Sequence, residues 1–454
     1  MTTAIKPPFP KKLPRFTLPD FERFEIAPGI PVILCRNSTV PLVTLSFSIN
    51  QGSRNDTLPK QGLTQLTMQV LNEGGGDFTS SEFHDRIDDL GSSIVCFSNE
   101  DYARIQITSL RENFADTLAL LSLMLVKPIF SETDYAREKN NLMVRLTQLA
   151  DRPEIIADKV FNDNLFAEDH PYYLNAGGKK PTLESITLVD VQNRFKSILQ
   201  SGHSEIFCAG DIDAVSLKEL LSASLSGLST RNPVFTKALL PIVQKPACIL
   251  IAHKEGAEQT EVMFGHQSVK STETDHISRT AANSLFGGQF SSRLNLNLRE
   301  KHGITYGVHS YFNSLQLCGE FIISTSVAGK DSGTAIEQVF VELEKIRTKI
   351  TNKELAFVKA SMVNRFALNF ETSMHLIMNS LMLRAGEMTE DYIKNFVPRV
   401  GDLTVDMLLA SAREHFLPEN MQVVLVGDKT EIEKSLITAK INLPVRYVDI
   451  AELW

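Results

Sequence analysis

Residues 205–213 read EIFCAGDID, and residues 421–430 read MQVVLVGDKT. Each is a short β-rich run closed by Gly-Asp. Each also follows an amphipathic stretch with helical spacing, ITLVDVQNRFKSIL in the first case and LTVDMLLASAREHFL in the second. Two more echoes keep nearly the same offset. FHDRIDDLGSSIVCFSN (83–99) and LNLNLREKHGITYGVHSY (294–311) both read as helix, glycine, then strand. Gly75 and Gly288 both close a helical run. A constant offset across three features marks a tandem duplication.

Working outward from these anchors gives four segments. Residues 1–19 form a Pro-rich, basic, extended arm. Residues 20–228 are the first unit, 229–245 a linker with little periodicity, and 246–454 the second unit. Paired β-runs open both units, IPVILCRN and LVTLSFSIN in the first, ACILIAHK and EVMFGHQSV in the second. ARIQITSL and EFIISTSV alternate as later strands. Long helical spans are expected over 112–125 and 131–149. Strands in hairpins and helices in blocks predict α+β units with mainly antiparallel sheets flanked by helices.

The chain has 454 residues, 43% hydrophobic and 22% charged, with a net charge of −8. That balance fits a globular protein of more than one domain and disfavours nucleic acid or an anionic membrane as partner. No apolar run is long enough to span a bilayer. MTTAIKPPFPKKLPRF (1–16) lacks the apolar region of a secretory signal. The expected location is periplasmic if a leader has been removed and cytoplasmic otherwise. Five dispersed cysteines without a C-x-x-C pair read as buried free thiols.

The stretch GLTQLTMQVLNEGGG (62–76) reads as an amphipathic helix with a glycine stop. Leu63, Leu66, Val70 and Leu71 form its apolar stripe. Thr64, Gln65, Thr67, Gln69 and Asn72 form its polar face. The ten histidines include no H-E-x-x-H and no H-x-x-E-H. There is no phosphate loop, and no G-x-S-x-G elbow of a serine hydrolase.

The chain resembles the pitrilysin, insulinase and mitochondrial-processing-peptidase family of inverted-zincin metallopeptidases. The likeness runs over about residues 20 to 450. It rests on the opening GIPVILCRNSTVPLVTLSFSINQGSRND, GLTQLTMQVLNEGG, HPYYLNAGG and SEIFCAGDID. In the second unit it rests on SLFGGQFSSRLNLNLREKHGITYGVHSYF and VVLVGD. Active members carry H-x-x-E-H on the helix that 62–75 matches. The pattern places its first His on Gln65, its Glu on Met68 and its second His on Gln69. The third ligand, a Glu, would fall near 144–146, and KNNLMVRLTQLA (139–150) holds neither acid nor histidine. Amides ligate zinc poorly and a thioether cannot act as a base. The expectation is therefore no metal and no catalytic residue in this chain alone.

The second unit keeps Arg299 and Tyr306, seven residues apart across Gly303. The resemblance implies that this pair binds substrate. Tyr306 would donate to the scissile carbonyl oxygen, and Arg299 would hold a peptide carbonyl or orient the tyrosine. By residue type alone, Arg299 also suits a solvated helix end, and Tyr306 a half-buried strand aromatic. Gly287, Gly288, Ser291 and Ser292 suit a turn at a chamber wall or a plain helix stop. His302 and His309 lack ligand partners, and Gln259 carries no assigned chemistry. In the family, chains of this kind pair with a homologous subunit that has H-x-x-E-H. The implied function is the non-catalytic Arg/Tyr subunit of a heterodimeric zinc metallopeptidase, one half of a clamshell, with zinc in the partner and a peptide or small unfolded protein as substrate. The alternatives are an inactive structural scaffold and a peptide-binding homodimer.

Overall fold

In the computed structural model the Gly-Asp runs become two equivalent central strands. Residues 20–26, 29–201, 203–228, 240–270, 274–386 and 390–454 are described; the N-terminal arm and residues 229–239 of the linker lie outside them. The first sheet contains β1 (Phe21–Ile26), β2 (Ile30–Arg36), β3 (Leu42–Ile49), β4 (Ser93–Ser98), β5 (Ala103–Leu110) and β6 (Ser204–Gly210). Their order is β1-β2-β6-β3-β5-β4. The second contains β7 (Cys248–His253), β8 (Gln259–Ser268), β9 (Val308–Ser314), β10 (Gly319–Ala328), β11 (Gln422–Gly427) and β12 (Val445–Val448). Their order is β12-β7-β11-β8-β10-β9.

Five positions of the two sheets correspond, so the chain is the duplicated α+β protein its repeats predict. In both sheets the Gly-Asp strand pairs parallel with the opening strand and antiparallel with the next one. The parallel pairing follows from the long helical crossover that returns the chain to the sheet. The sixth strand breaks the symmetry. β1 is antiparallel to β2, whereas β12 runs parallel to β7 and comes from the far end of its unit.

The repeated glycines have a steric cause. A Cβ on Gly210 would lie 2.2 Å from the Leu42 carbonyl oxygen, and one on Gly427 would lie 2.6 Å from Thr260 Oγ1. The repeated aspartates differ in use. Asp428 caps the helix Lys429–Thr438 through Thr430 N and Glu431 N. In the first unit Asp213 caps Ala214–Ser224, and Asp211 pairs with Arg111 at 3.0 Å.

The helices that matter here are α1 (Leu63–Leu71), α2 (Ser80–Asp89), α3 (Phe114–Val126), α4 (Glu132–Leu149) and α5 (Pro153–Leu165). α3 and α4 occupy the two expected helical spans. α5 comes from the first unit but packs on the second sheet. Its Ile156, Val160 and Phe161 bury against Leu250, Met263 and Val424. In exchange, helix Ser373–Gly386 packs its Leu376 and Ile377 into a cluster that includes Cys35, Phe207 and Ala209 of the first sheet. The two units thus trade helices.

A buried polar network adds to this exchange. Asp101 pairs with Arg54 at 2.7 Å, and both side chains are buried. Tyr172 donates to Asp101 Oδ1 at 2.7 Å, and the Gln316 amide donates to Oδ2 at 3.0 Å. Arg54 reaches on to Gln316 Oε1 at 2.9 Å. All five cysteines are buried and unpaired. Among the described residues no helix is long and apolar enough to cross a membrane.

Candidate functional site

α1 differs from its sequence reading in one respect: it has no broad solvent-facing polar side. α4, helix Leu188–Ser201 and β4 all pack against it. Thr64 and Thr67 are fully buried. Thr64 donates to Asp56 Oδ1 at 2.5 Å, and Thr67 donates to the Leu63 carbonyl at 2.7 Å. Asn72 Oδ1 accepts from the Cys96 amide at 3.0 Å. Asp56 is held above the usual carboxylate range by burial, opposed by Thr64 and by Arg194 at 3.5 Å. These polar side chains hold the helix in place and none faces outward to act.

The three positions that match the zinc motif have separate fates. Met68 is buried in the core of the first sheet. Gln69 is half-buried, and its Oε1 is enclosed without a hydrogen-bond partner among the described residues. Gln65 is half-buried and lines a cavity. At the third position Arg145 and Leu146 of α4 line the same cavity, while Val144 points outward. These residues do not fit a zinc ion: they offer two amides, a thioether turned into apolar core, and no carboxylate from 139–150. Among the described residues, no group of three or more His, Cys, Asp and Glu side chains could hold a metal ion.

The cavity, about 330 Å³, lies between the units. α1 and α4 form one wall, α5 a second, and Asn313 and Glu320 of β9 and β10 a third. Its charges are strongly perturbed. Burial pushes the Glu320 carboxyl up to about 7, with Glu100 and Asp158 adding and Asn313 opposing. Burial, then Glu154, raises Asp158 to about 6. Burial also pulls the Lys159 ammonium down to about 8, against the opposing pull of Asp163.

Arg299 and Tyr306 lie elsewhere on the second unit. Arg299 belongs to a π-helical run, Asn295–Lys301, whose wider turn is typical of functional segments. Asn295 ties this run to the start of β9. Its Nδ2 donates to the Val308 carbonyl at 2.8 Å, and its Oδ1 accepts from the Val308 amide at 3.1 Å. The Arg299 guanidinium lies 4.2 Å from the Phe290 ring centroid and 3.1 Å from Glu300. Past Gly303 (φ +65) the chain reaches Tyr306, which is 91% exposed and makes no hydrogen bond among the described residues. Arg299 and Tyr306 do not bond to each other. Both precede β9, which among the described residues pairs with no strand other than β10 and is bonded on its other side at Val308 and Ser310 by Asn295, Asn283 and Gly287.

The remaining candidates have local roles. Ser292 is buried and bonds Asn295. Gly287 lies against Ser310, and Gly288 against Asn283. His302 Nε2 is enclosed without a partner among the described residues, and His309 is exposed. Gln259 accepts from Ser326 Oγ at 2.9 Å. Sequence reading missed Phe290, the support beneath Arg299, and Trp454, which lines the cavity. An aromatic directly after Gly287-Gly288-Gln289 and a sole tryptophan were the available signals.

Comparison with known proteins agrees with this geometry. Residues 32–170 match the family described as "Insulinase (Peptidase family M16)", and residues 185–362 match "Peptidase M16 inactive domain". The chain is 23% identical over 373 residues to "Uncharacterized zinc protease YmxG" of Bacillus subtilis, covering 81% of this chain and 87% of that one. It is 23% identical over 350 residues to "Non-peptidase homolog YmxG" of Helicobacter pylori, covering 76% and 79%. A solved peptidase M16 inactive domain from Pseudomonas fluorescens shares the fold, with a TM-score of 0.83 at 22% identity over 90% of this chain and 98% of that one. With both units matched and the motif positions occupied by Gln65, Met68 and Gln69, the chain belongs to the M16 (insulinase) peptidase family, among its inactive, peptidase-like members.

Proposed function

We propose that this chain is the non-catalytic subunit of a heterodimeric zinc metallopeptidase, lending Arg299 and Tyr306 to a homologous partner that carries H-x-x-E-H and the zinc. The observation that carries this reading is Tyr306, 91% exposed and, among the described residues, without a hydrogen bond, beyond a firmly pinned π-helical run. A tyrosine used for packing would bury its ring and satisfy its hydroxyl. This one does neither, so its donor is available to another molecule. Arg299 is held differently, with its guanidinium supported by Phe290.

In this role Tyr306 donates a hydrogen bond to the scissile carbonyl oxygen as negative charge develops on it. Arg299 holds a neighbouring peptide carbonyl through its fixed donor fork. A positioned donor of this kind is worth about 3–4 kcal/mol in the transition state. The Helicobacter pylori relative's name, a non-peptidase homolog, fits a chain without zinc ligands of its own. The test is Tyr306→Phe in the reconstituted pair. A fall in kcat of about tenfold or more with assembly intact supports the role. Unchanged kcat sinks it and favours a scaffold or a peptide-binding homodimer.

A further inference from the structure

The cavity beside Gln65 is partly filled by the protein's own chain. After β12 the segment Ile450–Leu453 turns inward, Leu453 is buried, and the Trp454 indole lines the cavity with Gln65, Leu142 and Leu146. The ring sits at the margin of two apolar clusters at once. One is built by α1 and α4, the other by α5 and the second sheet. Lys159 stands 5.4 Å from the ring centroid. That lysine is 7% exposed, and its Nζ makes no hydrogen bond among the described residues. The π face therefore joins Asp163 in offsetting part of its desolvation.

The fit has a fault. The indole Nε1 is also enclosed without an acceptor among the described residues, a loss of about 1–3 kcal/mol for a buried donor. The backbone is lightly tied. Lys179 Nζ reaches the Glu452 carbonyl at 3.4 Å, and Asp449 caps Ala451 at 2.9 Å. Leaving the slot returns the indole donor to water and recovers that loss.

We propose that Trp454 is a displaceable plug in a slot that takes an apolar or aromatic side chain of an extended peptide. The proposal rests on the reading that this chain binds peptide, and adds where one side chain goes and what competes with it. Leu142, Leu146 and Leu149 give the slot its apolar wall, and Lys159 beneath the ring favours an aromatic occupant. A plug lowers apparent affinity by the fraction of molecules in which the slot is open.

Trp454 is the sole tryptophan, so intrinsic fluorescence reads the plug directly. The full chain is titrated with a short, unfolded, dye-labelled peptide that contains phenylalanine and leucine but no tryptophan. The expected result is a red shift of Trp454 emission and easier acrylamide quenching, with the same midpoint as the peptide's anisotropy. Trp454→Ala is expected to bind the peptide about tenfold more tightly. Peptide binding with unchanged emission and unchanged affinity in Trp454→Ala overturns the plug and leaves peptide binding standing. No binding by either protein overturns both. If Trp454→Ala does not fold, the wild-type emission titration decides alone.

Discussion

At residue scale, the three positions on which the family's zinc motif would fall have three different surroundings. Gln65 faces a cavity, Met68 is core and Gln69 is half-enclosed, so no single change restores a site there. Titration across the cavity is equally specific. Glu320 is raised from 4.5 to about 7 in the folded chain, so folding favours its protonated form. The stability it contributes is fully present below about pH 4.5 and is lost as pH rises through about 7, by up to about 3 kcal/mol. Glu320→Gln keeps the bond with Asn313 available and should flatten that fall in denaturant melts from pH 5 to 8. A variant with the wild-type profile would show that Glu320 is not the group responsible. The missing zinc ligands were legible in the sequence because they are a matter of residue identity alone. The burial of Thr64 and Thr67 was not, because it is set by distant partners, among them Asp56 and helix Leu188–Ser201.

At the scale of elements, the seating of α5 on the second sheet requires one small residue. A Cβ on Gly265 of β8 would lie 2.5 Å from Phe161 Cζ and 2.3 Å from the Phe321 carbonyl oxygen. Gly265→Ala should cost about 1–3 kcal/mol through overpacking, and Phe161→Leu in the same chain should recover part of it. Chemical denaturation of the single and double variants checks this. Additive losses would mean that α5 does not press on β8 there. Strands such as ARIQITSL were readable because one face is buried and the other is not, which writes an alternation into the sequence. The destination of α5 was not readable. Its apolar stripe states that it packs, not on which sheet. The same holds for β12, a short and largely exposed strand that pairs along β7 from outside the repeated order. The π-helical turn at Arg299 carries no periodic signature either.

At the scale of the whole molecule, Asp101 joins the traded helices in tying the two units together. Its carboxylate accepts from Arg54 and Tyr172 of the first unit and from the Gln316 amide of the second. Asp101→Ala leaves Arg54 buried without its counter-charge, which should cost about 3–5 kcal/mol. Loss of a single cooperative unfolding transition would accompany it. A change below about 1 kcal/mol would show that the Asp101 network does not hold the units together. The duplication itself was legible from the constant offset of the Gly-Asp and helix-to-glycine junctions. The cavity was not, because it exists only where α1, α4, α5, the second sheet and Trp454 meet.

The central claim, that this chain completes another subunit's active site, is tested most directly by isolating it from its native cells and identifying what comes with it by mass spectrometry. The expected result is a near-stoichiometric homologous partner carrying H-x-x-E-H, with peptidase activity in the complex. Recovery of the chain alone, or only with copies of itself, would contradict it.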